Sequence, residues 1–368
     1  MQPTNPNPAA GNISGMIPGG SRFLRACLRQ PVDRTPVWFL RQAGRYMQEY
    51  REVRKHHTLV EICKQPELAA EVTITAAEKL GVDAAIIFAD LLLPLEPMGL
   101  DFEFQAGEGP VVHHPVRTAD DVRALRTDRA DDLAYVAKAI EKVATHFNAQ
   151  KGRDRLGIIG FCGGPYTLAS YMIEGGGSKN YIRTKQMMYG DTTAWRSLLD
   201  KIVVVLTEYC RLQVAAGADV IQIFDSWVGS LGLADYCDYA FEASKRLVRT
   251  VQQMGVPVIY FGVETAGLLT QMAATGADVI GLDWRQPLDE GWRAVGHGHA
   301  VQGNLDPITL FAPGEVLELR VKEVLCAANG RPGHIFNLGH GIVPGTPVEN
   351  VQAVVRMVKE FRLDSVHG

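Results

Sequence analysis

Val37-Trp38-Phe39-Leu40-Arg41-Gln42-Ala43-Gly44-Arg45-Tyr46 decides how the rest of the chain is read. Its first four residues are β-branched, aromatic or aliphatic without polar alternation, the pattern of a strand buried on both faces. Two arginines follow at once, with Gly44 between them. In α/β folds ligands bind at the carboxyl ends of the strands, so Arg41 and Arg45 stand where a ligand is met. A planar guanidinium fork matches carboxylates and phosphates. Two such forks predict a ligand with several anionic groups.

Runs of the same kind recur outward from this stretch, at 84–89, 157–161, 220–224, 258–261, 279–282, 300–303 and 334–337, which makes eight in all. The intervals are rich in Ala, Leu, Glu, Lys and Arg at helical spacing. Leu198, Ile202, Val205, Tyr209, Leu212 and Ala216, for example, step along one face. Strand–helix alternation of this length predicts an α/β chain folded as one (β/α)8 barrel over 21–368. The first twenty residues, rich in Pro, Asn and Gly, are expected to be a flexible N-terminal tail. Gly81-Val82-Asp83, Gly217-Ala218-Asp219 and Gly276-Ala277-Asp278 repeat one unit, a glycine closing a helix just before a buried strand. Their glycines and aspartates read as structural. The stretch 94–118 is irregular and fits a hairpin or excursion.

Composition narrows the function. At 368 residues, 46% apolar and 21% charged, the chain matches a soluble globular protein. A net charge of -4 supplies no global positive field for nucleic acid, so anion selectivity must be local. No run reaches transmembrane length, and the N-terminus lacks the pattern of a signal peptide. The six cysteines are scattered without a C-x-x-C pair and read as reduced thiols of a cytoplasmic protein. None of the ten histidines has a cysteine two residues on, and no H-E-x-x-H occurs, so no metal site is expected.

The strand ends carry the chemistry. In order they offer Arg41 and Arg45; Asp90; Phe161 with Gly163-Gly164-Pro165-Tyr166, leading to Tyr171; Phe224-Asp225-Ser226-Trp227; Asp283-Trp284-Arg285; Asn304; and Asn337-Leu338-Gly339-His340-Gly341. Asp90 has two readings, a cap for the next helix or a site carboxylate. Asp225 and Asp283 read as structural acids paired with neighbours. Tyr171, placed on a helical start, is either a core or a site residue. His340 lies between two glycines, which would let the backbone approach a ligand closely. Gly175-Gly176-Gly177-Ser178-Lys179 fits neither phosphate-loop spacing and reads as a flexible loop over the mouth. Thr346-Pro347-Val348-Glu349 reads as an N-cap, a first-turn proline and a capping-box glutamate.

These residues resemble a known family. Arg41-Gln42-Ala43-Gly44-Arg45-Tyr46 is similar to the first signature of the uroporphyrinogen decarboxylases, and the stretch 160–178 to their second. Ile87-Phe88-Ala89-Asp90, Phe224-Asp225-Ser226, Gly303-Asn304-Leu305-Asp306-Pro307 and Asn337-Leu338-Gly339-His340-Gly341 fall in the family's order. The resemblance implies a distorted (β/α)8 barrel, commonly a homodimer. It also implies removal of carbon dioxide from the four acetates of uroporphyrinogen III, giving coproporphyrinogen III, without metal or organic cofactor. Asp90 would then accept pyrrole N–H groups. Arg41 and Arg45 would engage carboxylates, with Arg41 a candidate proton donor. Tyr171, Phe224, Ser226 and His340 would bind substrate or orient the reacting side chain, with Tyr171 and His340 counted among the catalytic groups.

Two other readings compete with this one. Methyltransferases of the same fold use zinc held by a His-x-Cys pair, and this chain has no His-x-Cys. For a non-catalytic tetrapyrrole-binding protein, Asp90 beside both arginines would be gratuitous.

Overall fold

The strands form where the apolar runs lie, with one exception at the stretch read first. The computed structural model describes residues 21–105, 109–149 and 155–362, so the tail expected over 1–20 lies outside the described residues. In chain order the strands are β1 (Ala84–Ile86), β2 (Phe102–Gln105), β3 (Gly109–Val112), β4 (Gly157–Gly163), β5 (Val220–Phe224), β6 (Val258–Phe261), β7 (Val279–Gly281), β8 (Ala300–Leu305) and β9 (His334–Leu338). β1 and β4 to β9 lie side by side in chain order, and every neighbouring pair is parallel. Parallel neighbours require long crossovers, and helices supply them. β2 and β3 form an antiparallel hairpin inside the irregular stretch 94–118.

The eighth expected strand, 37–40, is not a regular strand. It makes a single parallel bridge, Val37 to Phe336 of β9. On its other side its Val37 carbonyl accepts the Asp83 N–H at 2.8 Å, next to β1. The segment therefore sits in the seam between β9 and β1 and closes the sheet into a distorted (β/α)8 barrel. Ladder bonds are sparse there because side chains take the donors. Val37 N–H donates to Asp83 Oδ2 at 2.9 Å, Phe39 N–H to Gln42 Oε1 at 3.2 Å and Leu40 N–H to Asn337 Oδ1 at 2.9 Å. Each buried N–H is satisfied, but by a route that sequence periodicity does not encode.

The repeated Gly-x-Asp unit has one structural job. Gly81, Gly217 and Gly276 take φ of 69°, 107° and 90°. In this left-handed region a Cβ is costly, and helices close by turning through it. The aspartate two residues on then reaches sideways to the foot of a neighbouring strand. Asp83 receives Val37 N–H, Asp219 receives Ile158 N–H at 2.8 Å, and Asp278 receives Val258 N–H at 2.8 Å. Three stitches at the amino-terminal end hold strand starts in register.

The expected stripe on the helix Thr192–Ala215 is buried at Leu198, Ile202, Val205 and Tyr209, while Leu212 is half-buried. Each fully buried aliphatic side chain of this kind stabilises the fold by about 1.5–3 kcal/mol. One cap differs from expectation. The last helix, Val348–Glu360, takes Pro347 as its N-cap, without the capping box. The Thr346 hydroxyl instead donates back to the Val343 carbonyl at 2.9 Å, which closes the preceding turn.

Candidate active site

The carboxyl ends of the barrel strands form the mouth, and the segment 41–46 shows how its side chains are sorted. Gln42 and Tyr46 are buried, whereas Arg41 and Arg45 are exposed. Gln42 Nε2 donates to the Ala84 carbonyl at 3.0 Å, and the Tyr46 hydroxyl donates to the Gln42 carbonyl at 2.7 Å. Anchoring Gln42 and Tyr46, each one residue past an arginine, leaves both arginines exposed. Neither guanidinium has a hydrogen bond or ion pair among the described residues. Arg41 also carries φ of 60°, a left-handed conformation rare for a residue with a side chain.

Asp90 lies beyond β1, partly buried. Its Oδ1 accepts the Leu92 N–H at 2.9 Å, and this is its one hydrogen bond among the described residues. Both readings of Asp90 therefore hold in part, since one oxygen shapes the turn and the other is left over. Burial lifts its carboxyl to about 6, opposed by the Leu92 N–H and then by the charge of Arg41. A carboxylate so poorly satisfied is strongly responsive to any cation or N–H donor brought beside it.

Arg41 ties the group together electrostatically. Its charge also acts on Tyr171, whose phenol burial and the Asp90 charge push up to about 12. At His340 burial is the first cause of a lowered value and Arg41 the second, with a hydrogen bond at the Gly341 backbone opposing them. The mouth thus holds a carboxylate, a guanidinium, a neutral phenol and a neutral imidazole. The charge of Arg45 reaches Tyr50, which also feels Asp90.

Tyr171 does not start its helix. It sits near the end of Pro165–Glu174, half-buried, with one ring face stacked on Trp227 at 3.8 Å between centroids. Ser226 is half-buried beside that tryptophan, and Phe224 stands edge-on between Phe161 at 5.5 Å and Phe261 at 6.0 Å. Asp225 is structural, as expected. It is fully buried and accepts Thr167 N–H, the Thr167 hydroxyl and the Tyr260 hydroxyl at 2.9, 2.7 and 3.0 Å. Asp283 is likewise occupied, by Arg285 and by the Glu264 N–H.

The sequence reading places Trp227 and Trp284 at strand ends without giving them a role. Trp227 backs Tyr171, and Trp284 meets His340 edge-on at 5.9 Å with the Arg285 guanidinium 4.0 Å from the Trp284 ring centre. Both tryptophans come just past strand ends, which was the available signal. The glycines around His340 leave room for neighbouring segments. A Cβ on Gly339 would strike the Trp284 backbone at 2.2 Å, and one on Gly341 would strike the Arg41 stem. Gly175, expected in a flexible loop, closes its helix at φ of 86° and accepts Val112 N–H from β3 at 2.8 Å. His299, from the pair at 297 and 299, bonds the Ala277 carbonyl at 2.8 Å at the far end of the barrel. No three His, Cys, Asp or Glu side chains converge as metal ligands among the described residues.

Comparison with known proteins shows the family. The family model described as uroporphyrinogen decarboxylase matches residues 19–361. The chain is 60% identical over 347 residues to a uroporphyrinogen decarboxylase of Koribacter versatilis, covering 94% of this chain and 97% of that one. Against one from Solibacter usitatus it is 54% identical, covering 94% and 99%. Among solved structures, a methyltransferase from Methanosarcina mazei superposes with a TM-score of 0.74 over 92% of this chain and 98% of that one. Their 22% identity shows a shared fold and no more.

Proposed function

The chain belongs to the uroporphyrinogen decarboxylase family, and we propose that it is a carboxy-lyase that converts the four acetate side chains of uroporphyrinogen III to methyl groups, giving coproporphyrinogen III. One observation carries the assignment of residues. Asp90 is a partly buried carboxylate with a single internal hydrogen bond, beside an arginine that has no partner of its own among the described residues.

The chemistry needs such a group. Loss of carbon dioxide leaves an electron pair, and a pyrrole protonated at its α-carbon can accept it within the substrate. The protonated ring is a cation. A preorganised Asp90 carboxylate, short of hydrogen bonds until the pyrrole N–H groups arrive, stabilises that cation more than it stabilises the neutral substrate. Carbon dioxide then departs, an exocyclic methylene forms, and a general acid protonates it to methyl. Release of the α-proton restores the pyrrole. Each acetate therefore releases one carbon dioxide and takes up one proton overall.

Arg41 and Arg45 grip carboxylates of this highly anionic substrate, and Arg41, next to Asp90, is the candidate that delivers a proton. Tyr171 and His340, both neutral, orient the reacting acetate by hydrogen bonds, with Ser226 and Phe224 lining the same mouth. None of these steps calls on a metal or an organic cofactor.

Two further properties go with this reading. Ile308, Phe311, Val316 and Leu319 are 45–57% exposed on the segment that follows β8, and large apolar side chains left in solvent support assembly as a homodimer. Sedimentation should then report twice the chain mass. The six free cysteines suit the reducing cytoplasm. Anaerobic incubation with uroporphyrinogen, with products sorted by number of carboxylates, tests the reaction. Products should step down to four carboxylates with or without a chelator. An unchanged substrate, or an absolute need for added metal, contradicts the reading.

A further inference from the structure

The stem of Arg41 lies across Gly341. A methyl group built there would stand 2.4 Å from Arg41 Cδ, 2.7 Å from Cγ and 3.0 Å from Nε. Gly341 is not among the glycines with positive φ, so its backbone would accept other residues. What the position requires is the missing side chain. The same two segments are also clamped through their backbones on either side of this contact. Leu40 N–H donates to Asn337 Oδ1 at 2.9 Å, and Ile342 N–H donates to the Leu40 carbonyl at 2.9 Å. Asn337 is fully buried, and its Oδ1 also receives Leu338 N–H at 2.8 Å. The exit of β9 thus fixes where residue 41 begins, and its bare Cα at 341 fixes where the side chain runs.

We propose that Gly341 is a positioning residue for the reaction: its bare Cα seats the Arg41 stem so that the guanidinium is aimed into the mouth beside Asp90. His340 is thereby set against Arg41 by adjacency in the chain. The inference rests on the reading of Arg41 as a group that binds substrate carboxylates. It gives the H-G sequence after β9 a role that ligand approach does not explain. Gly341→Ala removes no polar side chain of the mouth and displaces one, that of Arg41.

A double-mutant cycle of Gly341→Ala and Arg41→Ala tests it, because Arg41→Ala removes the atoms that the new methyl would strike. The readouts are kcat, KM, melting temperature and affinity for a stable octacarboxylate porphyrin, followed by fluorescence quenching. With Arg41 present, Gly341→Ala should lower kcat/KM by about 10–100-fold, and in the Arg41→Ala background by less than about twofold. Equal losses in both backgrounds overturn the proposal, as does coupling confined to the melting temperature. A wild-type chain that fails to decarboxylate contradicts the proposed function instead. The porphyrin limb of the cycle then decides: a coupled loss of affinity upholds the positioning role, and an uncoupled loss or no affinity at all overturns it.

Discussion

Asp83 and Asp90 flank the same short strand, one at its foot and one past its top. Asp83 is saturated. It accepts Val37 N–H at 2.9 Å, two bonds from the Arg34 fork at 2.7 Å each and one from Arg22 at 3.2 Å. The Asp90 carboxylate accepts one N–H, from Leu92, and the Arg41 guanidinium close by has no partner among the described residues. In both places a carboxylate feels an arginine's charge, yet only at the foot do hydrogen bonds complete the pairing. A complete pairing at the foot has no capacity left and serves the fold. An incomplete one at the mouth leaves hydrogen-bonding capacity on both partners for a ligand to use.

The largest effects should separate the two aspartates. Asp90→Gly should lower turnover by about 10²–10³-fold with the protein still folded, since it removes the group that meets the developing cation. Asp83→Asn should do the reverse. Removing the charge between Arg22 and Arg34 should cost about 3–5 kcal/mol of stability in denaturant melts, while turnover per folded molecule persists. Loss of activity from both variants in step with loss of fold would erase the contrast.

The arginines should divide in the same way with smaller effects. Arg41→Ala should reduce kcat/KM by about 10–100-fold, through both kcat and KM, as expected for lost hydrogen bonds to a charged group. Arg34→Ala should change stability rather than KM. A KM that rises for Arg34→Ala would place the ligand elsewhere.

Protonation sharpens the comparison further. Burial raises the folded Asp90 carboxyl from 3.8 to about 6, so kcat/KM should fall as pH drops through about 6. For stability the sign is opposite to that of a salt-bridged acid. Between 3.8 and about 6 the folded state holds the proton more tightly than the unfolded chain, so this group's contribution to stability declines as pH rises through that window. Asp90→Asn should therefore melt no lower than wild type at pH 7. A lower melting temperature would mean that Asp90 supports the fold as Asp83 does. The smallest effect belongs to Trp227→Leu, which removes the stacking face of Tyr171 and should cost about 2–10-fold in kcat/KM.

Much of this was legible in the sequence, and the rest fails for identifiable reasons. Seven strands and the Gly-x-Asp units could be read because apolar runs and helix-closing glycines act locally. The segment 37–40 looked like one more strand because its composition is right. Its hydrogen bonds go to Asp83, Gln42 and Asn337, and Asn337 lies near the other end of the chain. Strand-end reading found Arg41, Asp90 and His340, since position along a strand determines which end of a barrel a residue occupies. It could not find what Gly339 and Gly341 make room for, because Trp284 and Arg41 come from distant segments. Thr346 carried the local pattern of a cap, and a competing bond to Val343 took its hydroxyl.

Net proton uptake tests the central claim most directly, because the proposed chemistry consumes one proton for each carbon dioxide released. Wild-type protein supplied anaerobically with uroporphyrinogen in an unbuffered pH-stat, sparged with inert gas so that carbon dioxide leaves before it hydrates and returns its proton, should take up protons and release carbon dioxide in equal amounts, and Asp90→Asn should suppress both together. Carbon dioxide release without proton uptake, or an Asp90→Asn variant that works at the wild-type rate, would contradict the account.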